Sequence, residues 1–191
     1  MARGLAGGGL ALGILIAGIA FAFTVGRFPV TPAELVLALW SRITGIPSGL
    51  PPAVDAVVFS IRGPRIIAAA ACGAALAIAG AAFQGLFRNP LVSPDILGAS
   101  SGAALGAVTG IFLSFGIFGI QAAAFLGGLA AVGAVYAIGA RLRSGDPILT
   151  LVLTGIVMGA LLGAGVGLIK VLADPYNQLP AMTFWLLGSL A

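Results

Sequence analysis

The sequence predicts an all-α membrane protein, a transmembrane helical bundle with about five full spans and the start of a sixth. The first observation is composition, because 60% of the residues are hydrophobic and only 7% are charged, whereas a soluble domain carries about 25% charged residues. The second is a series of apolar runs long enough to cross a bilayer. The third is an abundance of glycine, 30 residues in all, which suits closely packed membrane helices.

Uninterrupted apolar runs place the predicted spans in one transmembrane domain, residues 1–191. The spans cover residues 4–26, 64–87, 94–115, 120–140, 148–171 and, in part, 181–191. The first run follows Arg3 and resembles a signal peptide, with Ala20-Phe21-Ala22 in the place of a cleavage site. It is longer than the roughly 7–15 apolar residues of such a peptide, so we expect an uncleaved span. The last run covers roughly half a bilayer, so we expect the chain to stop within a helix.

A short amphipathic helix, residues 32–43, is predicted on the membrane surface between the first two spans. Thr31 and Glu34 have the spacing of a capping box, with Pro32 at the first helical position. Apolar residues then recur at helical spacing, and Trp40 is expected at the membrane interface. A loop is predicted after this helix, where three prolines follow: Pro47, Pro51 and Pro52.

Turn and capping signals separate the later spans. Asn89-Pro90 is expected to end the second span, because a residue before proline avoids the α conformation. Ser93 is expected to cap the third span, and Gly116 and Gly119 are expected to form the turn into the fourth. Residues 145–147, Gly-Asp-Pro, combine a helix stop with a helix start and are expected to lead into the fifth span.

Two glycine ladders with four-residue spacing predict close helix contacts. The ladder on the third span contains Gly98, Gly102, Gly106 and Gly110, and the ladder on the fifth contains Gly155, Gly159, Gly163 and Gly167. Each ladder places a flat groove along one helix face, so that another backbone can approach closely. Simple helix packing is the first interpretation. The second is a smooth face that lets helices tilt during transport or leaves room for a pathway.

Few residues could carry chemistry. All five acids are expected in loops or first helical turns: Glu34, Asp55, Asp95, Asp146 and Asp174. Histidine is absent and Cys72 is single, so neither a catalytic residue, a metal site nor a bound cofactor is predicted. The sequence lacks a G-x-x-x-x-G-K-[ST] phosphate-binding loop, so any ATP hydrolysis is expected on a partner chain. The basic residues are scattered rather than clustered, which argues against nucleic-acid binding.

Three isolated polar residues have structural interpretations. Gln84 and Gln121 are expected to form hydrogen bonds across helix contacts. Lys170, near the end of the fifth span, is expected to extend its ammonium group to the membrane interface.

A group of motifs from Arg62 onward resembles the FecCD-type permeases of ABC importers, which carry iron-siderophores, haem and cobalamin. The resemblance rests on Arg62, Pro64 and Arg65, on Gln84, on Asn89-Pro90-Leu91, on Leu97-Gly98 and Ser100-Ser101-Gly102-Ala103, and on Leu153-Thr154-Gly155-Ile156 and Trp185-Leu186-Leu187-Gly188-Ser189-Leu190. Gly63 departs from the usual bulky apolar residue. For the Arg-x-Pro-Arg motif, Arg62 to Arg65, interfacial anchoring is preferred to a docking role, and Asn89-Pro90-Leu91 is expected to fix the turn between the second and third spans. Neither motif is expected to form a substrate site.

The resemblance implies a type II importer-like fold with about twice the spans present here. It implies a permease homodimer in the cytoplasmic (inner) membrane, with cytoplasmic ATPase subunits and an extracytoplasmic substrate-binding protein as partners. The implied function is import of an iron-chelate or haem by alternating access, and the permease itself is not an enzyme. Import of cobalamin or an oxyanion is the alternative within the family, and a secondary transporter or channel is the alternative outside it.

The same resemblance implies that the N-terminus is cytoplasmic, which places residues 27–62 outside and residues 141–147 inside. Charge does not favour this orientation, because it puts four basic residues inside and five outside. Arg65 then lies at the N-terminus of the second span, where a cation is disfavoured unless a lipid phosphate or a partner carboxylate offsets its charge.

Overall fold

The structure is a computed structural model that describes residues 2–90, 93–142 and 147–189. Within these ranges all regular secondary structure is helical. The helices are α1 (Ala2–Thr24), α2 (Pro32–Thr44), α3 (Pro52–Asp55), α4 (Gly63–Phe87), α5 (Ala99–Phe112), α6 (Ile117–Arg141), α7 (Pro147–Leu172) and α8 (Gln178–Leu187). A π-helical turn, Ala56–Arg62, joins α3 to α4, and a 3₁₀ turn, Pro94–Leu97, precedes α5.

Four of the described helices are long and apolar enough to cross a membrane by length and composition. They are Gly7–Thr24, Pro52–Phe87, Ile117–Arg141 and Ile148–Leu172. The predicted third span is shorter than expected, because the αL conformation of Gly98 separates the 3₁₀ turn from α5. The remaining 14 residues of α5 extend about 21 Å at 1.5 Å per residue.

The second predicted span begins earlier than residue 64. Helical structure runs without a break from Pro52 to Phe87 over 36 residues, so the expected loop at Pro52 is wrong. Pro52 is the first residue of α3, a position that favours proline. Pro64 lies inside the helix, directly after the wider π turn, where an α-helix would bring its ring against the carbonyl four residues earlier.

Chain contacts divide the molecule into two compact units, one comprising the residues up to Ala74 and the other Ala75–Ser189. The first unit has a small core of Val30, Leu35, Val54 and Val58. The predicted capping box of α2 is confirmed: the Thr31 N–H donates to Glu34 Oε2 over 2.7 Å, and the Glu34 N–H donates to Thr31 Oγ1 over 3.3 Å.

The second unit is built around α5, which contacts α6, α7 and α8. Its core contains Val108, Ile111, Ala173 and Met182. The Gln178 side chain donates through Nε2 to the Phe112 carbonyl oxygen at the end of α5 over 3.0 Å. Through Oε1 it accepts from the Asp174 N–H over 3.1 Å. The start of α8 is therefore attached to the end of α5.

The turn between α5 and α6 differs from its prediction. Its left-handed residue is Ser114, at φ 57°, whereas Gly116 precedes α6 in an extended conformation and Gly119 lies within that helix. The Phe115 N–H donates to the Gly110 carbonyl oxygen over 2.9 Å and the Ser114 N–H to that of Ile111 over 2.9 Å. These two bonds define a Schellman motif with serine in the position that glycine usually occupies.

Two further helix ends differ from the sequence expectations. Ser93 precedes the 3₁₀ turn without a side-chain capping bond. Helix α8 ends at Leu187, before Gly188 with its positive φ of 79°, so the expectation that the helix continues to residue 191 is wrong. The predicted break at Gly145 and Asp146 lies outside the described residues.

Candidate functional site

The contact between α5 and α6 brings two backbones together at glycine. A Cβ added to Gly106 would overlap the Ala123 carbonyl oxygen and lie 3.2 Å from Ala124 Cα. A Cβ on Gly102 would overlap the Gly127 carbonyl oxygen and lie 2.5 Å from Ala131 Cβ. Real Cβ atoms do not approach other atoms so closely, so only glycine permits this helix spacing.

The other two glycines of the α5 ladder lie at its ends. A Cβ on Gly110 would lie 3.3 Å from Ile120 Cα on α6. Gly98 faces α7 instead, where its Cβ would lie 3.6 Å from the Gly159 nitrogen. The ladder therefore serves two different helices.

The ladder of α7 is divided into two halves. A Cβ on Gly155 would overlap the Ile96 carbonyl oxygen and lie 3.1 Å from Leu97 Cα. A Cβ on Gly159 would lie 3.6 Å from Ser101 Oγ. At Gly163 and Gly167 a Cβ would meet no described atom within 4 Å. The expected close contact is not made at these two within the described chain, because α5 meets this part of α7 through other residues: Gly165 faces Leu105, and Val166 and Ile169 pack against the cluster that contains Val108 and Ile111.

Gly127 on α6 was not identified from the sequence, although an added Cβ there would overlap a backbone atom, as at Gly102, Gly106 and Gly155. Its Cβ would overlap the Gly102 carbonyl oxygen and lie 3.2 Å from Gly106 Cα. A sequence signal for this contact was present, because small residues recur every four positions at Ala123, Gly127 and Ala131. Alanine in two of these positions obscured the pattern.

A cavity of about 360 Å³ lies beside the α5–α6 contact, within the second unit. Glycine, alanine, leucine, methionine and one threonine line it, the last being Thr109. The Thr109 hydroxyl donates to the Leu105 carbonyl oxygen over 2.7 Å. A second cavity of about 430 Å³, lined mainly by aliphatic residues of α6 and α7, includes Thr154, whose hydroxyl donates to the Thr150 carbonyl oxygen over 2.7 Å. The residues that line the two cavities are therefore apolar apart from Thr109 and Thr154, and none of them is charged.

The two arginines of the Arg-x-Pro-Arg motif have different surroundings in the first unit. The Arg62 guanidinium donates to the carbonyl oxygens of Phe23 and Phe28. Pro64 and Arg65 are exposed. Only the first arginine is thus engaged by the described part of the chain.

The remaining motif residues lie at the end of α4. The Asn89 N–H donates to the Gln84 carbonyl oxygen over 3.2 Å, and Arg88 has φ 49°, so arginine occupies the left-handed position after this helix. Asn89 and Pro90 are exposed, and Leu91 lies outside the described residues. The side chains of Gln84 and Gln121 are exposed and form no hydrogen bond to another described helix, so the bonds expected for them are not made within this chain.

Two carboxyl groups outside the spans have lowered pKa values. A backbone hydrogen bond from Thr31, supported by its hydroxyl, lowers the pKa of Glu34. A backbone hydrogen bond from Asn177 lowers the pKa of Asp174, with the Asn177 N–H 2.8 Å from Asp174 Oδ2. Both carboxylates therefore act as local caps. Among the described residues no group of three acidic, histidine or cysteine side chains could hold a metal ion.

Comparison with known proteins identifies relatives along nearly the whole chain. The profile of the FecCD transport family matches residues 14–191. The molybdate import system permease protein of Haemophilus influenzae is 33% identical over 96% of this chain and 53% of its own length. The cobalamin import system permease protein of Halobacterium salinarum is 46% identical over 74% of this chain and 38% of its own length.

A third relative, the hemin transport system permease protein of Yersinia pestis, is 39% identical over 69% of this chain and 40% of its own length. A solved structure described as an inward-facing conformation of a metal-chelate type ABC transporter superposes with a TM-score of 0.76. It is 32% identical and covers 96% of this chain and 53% of that one. The chain thus spans about half, or less, of the length of these proteins.

Proposed function

Because the chain belongs to the FecCD transport family, a family of multi-pass inner-membrane permeases, we propose that it forms the first half of the membrane permease of an ATP-driven importer. The observation that carries this proposal is the family match over residues 14–191. It is supported by relatives that are import permeases for three different substrates. Four helices with the length and composition of membrane spans agree with it.

The proposed substrate is an iron-chelate or haem. The hemin relative and the metal-chelate transporter of similar fold support this choice. The chemistry of the two cavities also agrees, because their walls are apolar and carry threonine hydroxyls that are already bonded to the backbone. A small oxyanion would need charged or unused donors in its path. Molybdate and cobalamin, the substrates of two other relatives, are the alternatives.

The proposed mechanism is alternating access in a dimer of permeases. Cytoplasmic ATPase subunits supply the energy, and an extracytoplasmic binding protein delivers the substrate. The permease has no catalytic residue and no resident cofactor in this proposal, and the nucleotide is held by the partner, since the sequence contains no phosphate-binding loop. The flat contact between α5 and α6 at Gly106 supports relative tilting, because no side chain interlocks the two helices there.

A secondary transporter or channel is the second candidate. Such proteins usually place an ionisable group within the membrane. Of the described acids, Glu34, Asp95 and Asp174 lie outside the four candidate spans, and Asp55 lies in the first turn of the second. This distribution favours a transporter whose energy comes from a partner chain.

The test is uptake into proteoliposomes that contain the full-length permease. Labelled ferric siderophore, haem, cobalamin and molybdate are each supplied with the matching binding protein, with and without the ATPase subunits. We expect concentrative uptake of the iron-chelate or haem that requires both ATP and the ATPase. Uptake of molybdate or cobalamin alone would replace the proposed substrate, and ATPase-independent uptake driven by an ion gradient would overturn the importer assignment.

A further inference from the structure

We propose that Arg62, Gly26 and Gly63 form a clamp that holds the end of the first membrane helix. The clamp lies within the first unit. It consists of these three residues and of the carbonyl oxygens of Phe23 and Phe28, which accept hydrogen bonds from the Arg62 guanidinium. Its role is to position α1, which makes few other contacts in the described chain. Three separate observations carry the proposal.

The first observation is the bonding of Arg62. Phe23 is the next-to-last residue of α1, so its carbonyl is one of the four at a helix end that lack a partner in the helix. The guanidinium donates to it and to the Phe28 carbonyl in the following loop. A cation at a helix C-terminus also interacts favourably with the helix dipole. Arg62 therefore caps α1 from a position 39 residues away in the sequence.

The second observation is the space left by Gly26. A Cβ at this position would overlap Arg62 Nη2 and lie 3.0 Å from Arg62 Cζ. No other described group approaches that Cβ position more closely. Gly26 thus provides the room in which the guanidinium lies between the two carbonyls.

The third observation is the π-helical turn that carries Arg62. It spans Ala56–Arg62 and closes with a bond from the Gly63 N–H to the Val58 carbonyl oxygen. A Cβ on Gly63 would lie only 2.9 Å from that oxygen, which is closer than real Cβ atoms approach a backbone oxygen. One extra residue in a turn changes the direction in which later side chains point, and Gly63 leaves room for the bond that closes this turn. This gives the glycine that departs from the family pattern a structural role.

The experiment measures amide hydrogen exchange in the full-length permease in lipid nanodiscs. Arg62→Gln removes the charged donor, and Gly26→Ala fills the space while leaving Arg62 intact. We expect Arg62→Gln to accelerate exchange in residues 21–31 by about ten-fold or more, as for the loss of a charge-assisted hydrogen bond. We expect Gly26→Ala to accelerate it by a smaller factor, because the guanidinium is the end of a flexible side chain and can shift. Exchange in α6 should stay unchanged.

Matched controls are present on the same helices. Arg65→Gln removes the exposed arginine of the same motif, and Gly18→Ala adds a Cβ to α1 where no described atom lies within 4 Å. Neither should alter exchange in residues 21–31. Gly63→Leu should accelerate it, whereas Gly73→Leu, also with no described atom within 4 Å, should not.

A double variant distinguishes the clamp from general damage. If Gly26 acts only by leaving room for the guanidinium, Gly26→Ala should add nothing to Arg62→Gln, so the two effects should be strongly non-additive. Additive effects would overturn the proposal, as would unchanged exchange in Arg62→Gln or equal acceleration by Arg65→Gln. If Arg62→Gln fails to insert, the pair Gly26→Ala and Gly18→Ala decides, since equal exchange in these two variants would also overturn it.

Discussion

The two glycine ladders have the same spacing in the sequence and different surroundings in the structure. On α5, Gly102 and Gly106 lie against the backbone of α6. On α7, Gly155 lies against the 3₁₀ turn, whereas Gly163 and Gly167 meet no described atom within 4 Å of an added Cβ. The difference teaches that a glycine ladder marks a face able to accept a close neighbour. Which glycines meet that neighbour depends on the direction that each one faces, since α5 passes this part of α7 at Gly165 and not at Gly163 or Gly167.

The largest expected effect is at the centre of the α5–α6 contact. Gly106→Leu would place a branched side chain where even a Cβ overlaps the Ala123 carbonyl oxygen. We expect the full-length protein to lose about 3 kcal/mol or more of stability, or to fail to assemble. Thermal unfolding in detergent measures this. Gly167→Leu is the matched control and should be mild, and equal melting temperatures for both variants would contradict the proposed contact.

A smaller substitution compares the two halves of the α7 ladder directly. Gly155→Ala introduces a Cβ that overlaps the Ile96 carbonyl oxygen, so we expect a loss of about 1–3 kcal/mol. Gly163→Ala places the same methyl group in open space and should be neutral or slightly stabilising, because alanine favours a helix more than glycine does. Melting temperatures of the two full-length variants test this. If Gly163→Ala lowers the melting temperature as much as Gly155→Ala does, the expected difference between the two positions is contradicted, and another part of the full-length protein packs on Gly163.

The turn that brings α5 against α6 offers a stabilising change. Ser114 has φ 57°, a conformation that costs a non-glycine residue about 1–2 kcal/mol. Ser114→Gly should therefore stabilise the protein by about 0.5–1 kcal/mol. The control is Ser100→Gly, an exposed site in α5, which should be destabilising by a similar amount. A fall in melting temperature for Ser114→Gly would contradict the assigned turn.

The smallest effect is a pH dependence at the turn after α7. The hydrogen bond from the Asn177 N–H lowers the pKa of Asp174. The contribution of this hydrogen bond to stability is therefore present above the ordinary pKa of an aspartate, and it is lost as the pH falls through the lowered pKa of Asp174. We expect the Asn177 amide nitrogen shift to be constant near neutral pH and to change only below about pH 4. An NMR titration measures it, with Asp174→Asn as the control that should abolish the change.

Local signals in the sequence predicted local structure well. The capping box of Thr31 and Glu34 is confirmed because its partners are three residues apart. The limits of α6 and α7 lie within a few residues of the predicted spans, since each is one uninterrupted apolar run. The all-helical fold and the family were also predicted correctly.

Features that depend on distant residues were not predicted. Arg62 meets carbonyls 39 and 34 positions away, and Gly127 becomes important only when α6 lies against Gly102. The start of the long helix at Pro52 was missed because Pro64 resembles a helix start, and the π turn that accommodates it has no simple sequence signal. Likewise, Ser114 adopts a conformation for which glycine is the usual marker.

The double attachment of Gln178 has a consequence for mutational tolerance. Its amide gives a hydrogen to the Phe112 carbonyl and receives one from the Asp174 N–H. Glutamate has the same shape, but its carboxylate offers only acceptors and would face the Phe112 oxygen with like charge. Lysine offers only donors, so it could not accept the hydrogen bond from the Asp174 N–H. Slow deamidation would therefore remove the hydrogen bond to Phe112 while the apolar packing of Met182 with Val108 and Ile111 stays in place, so this position can be intolerant without being crowded.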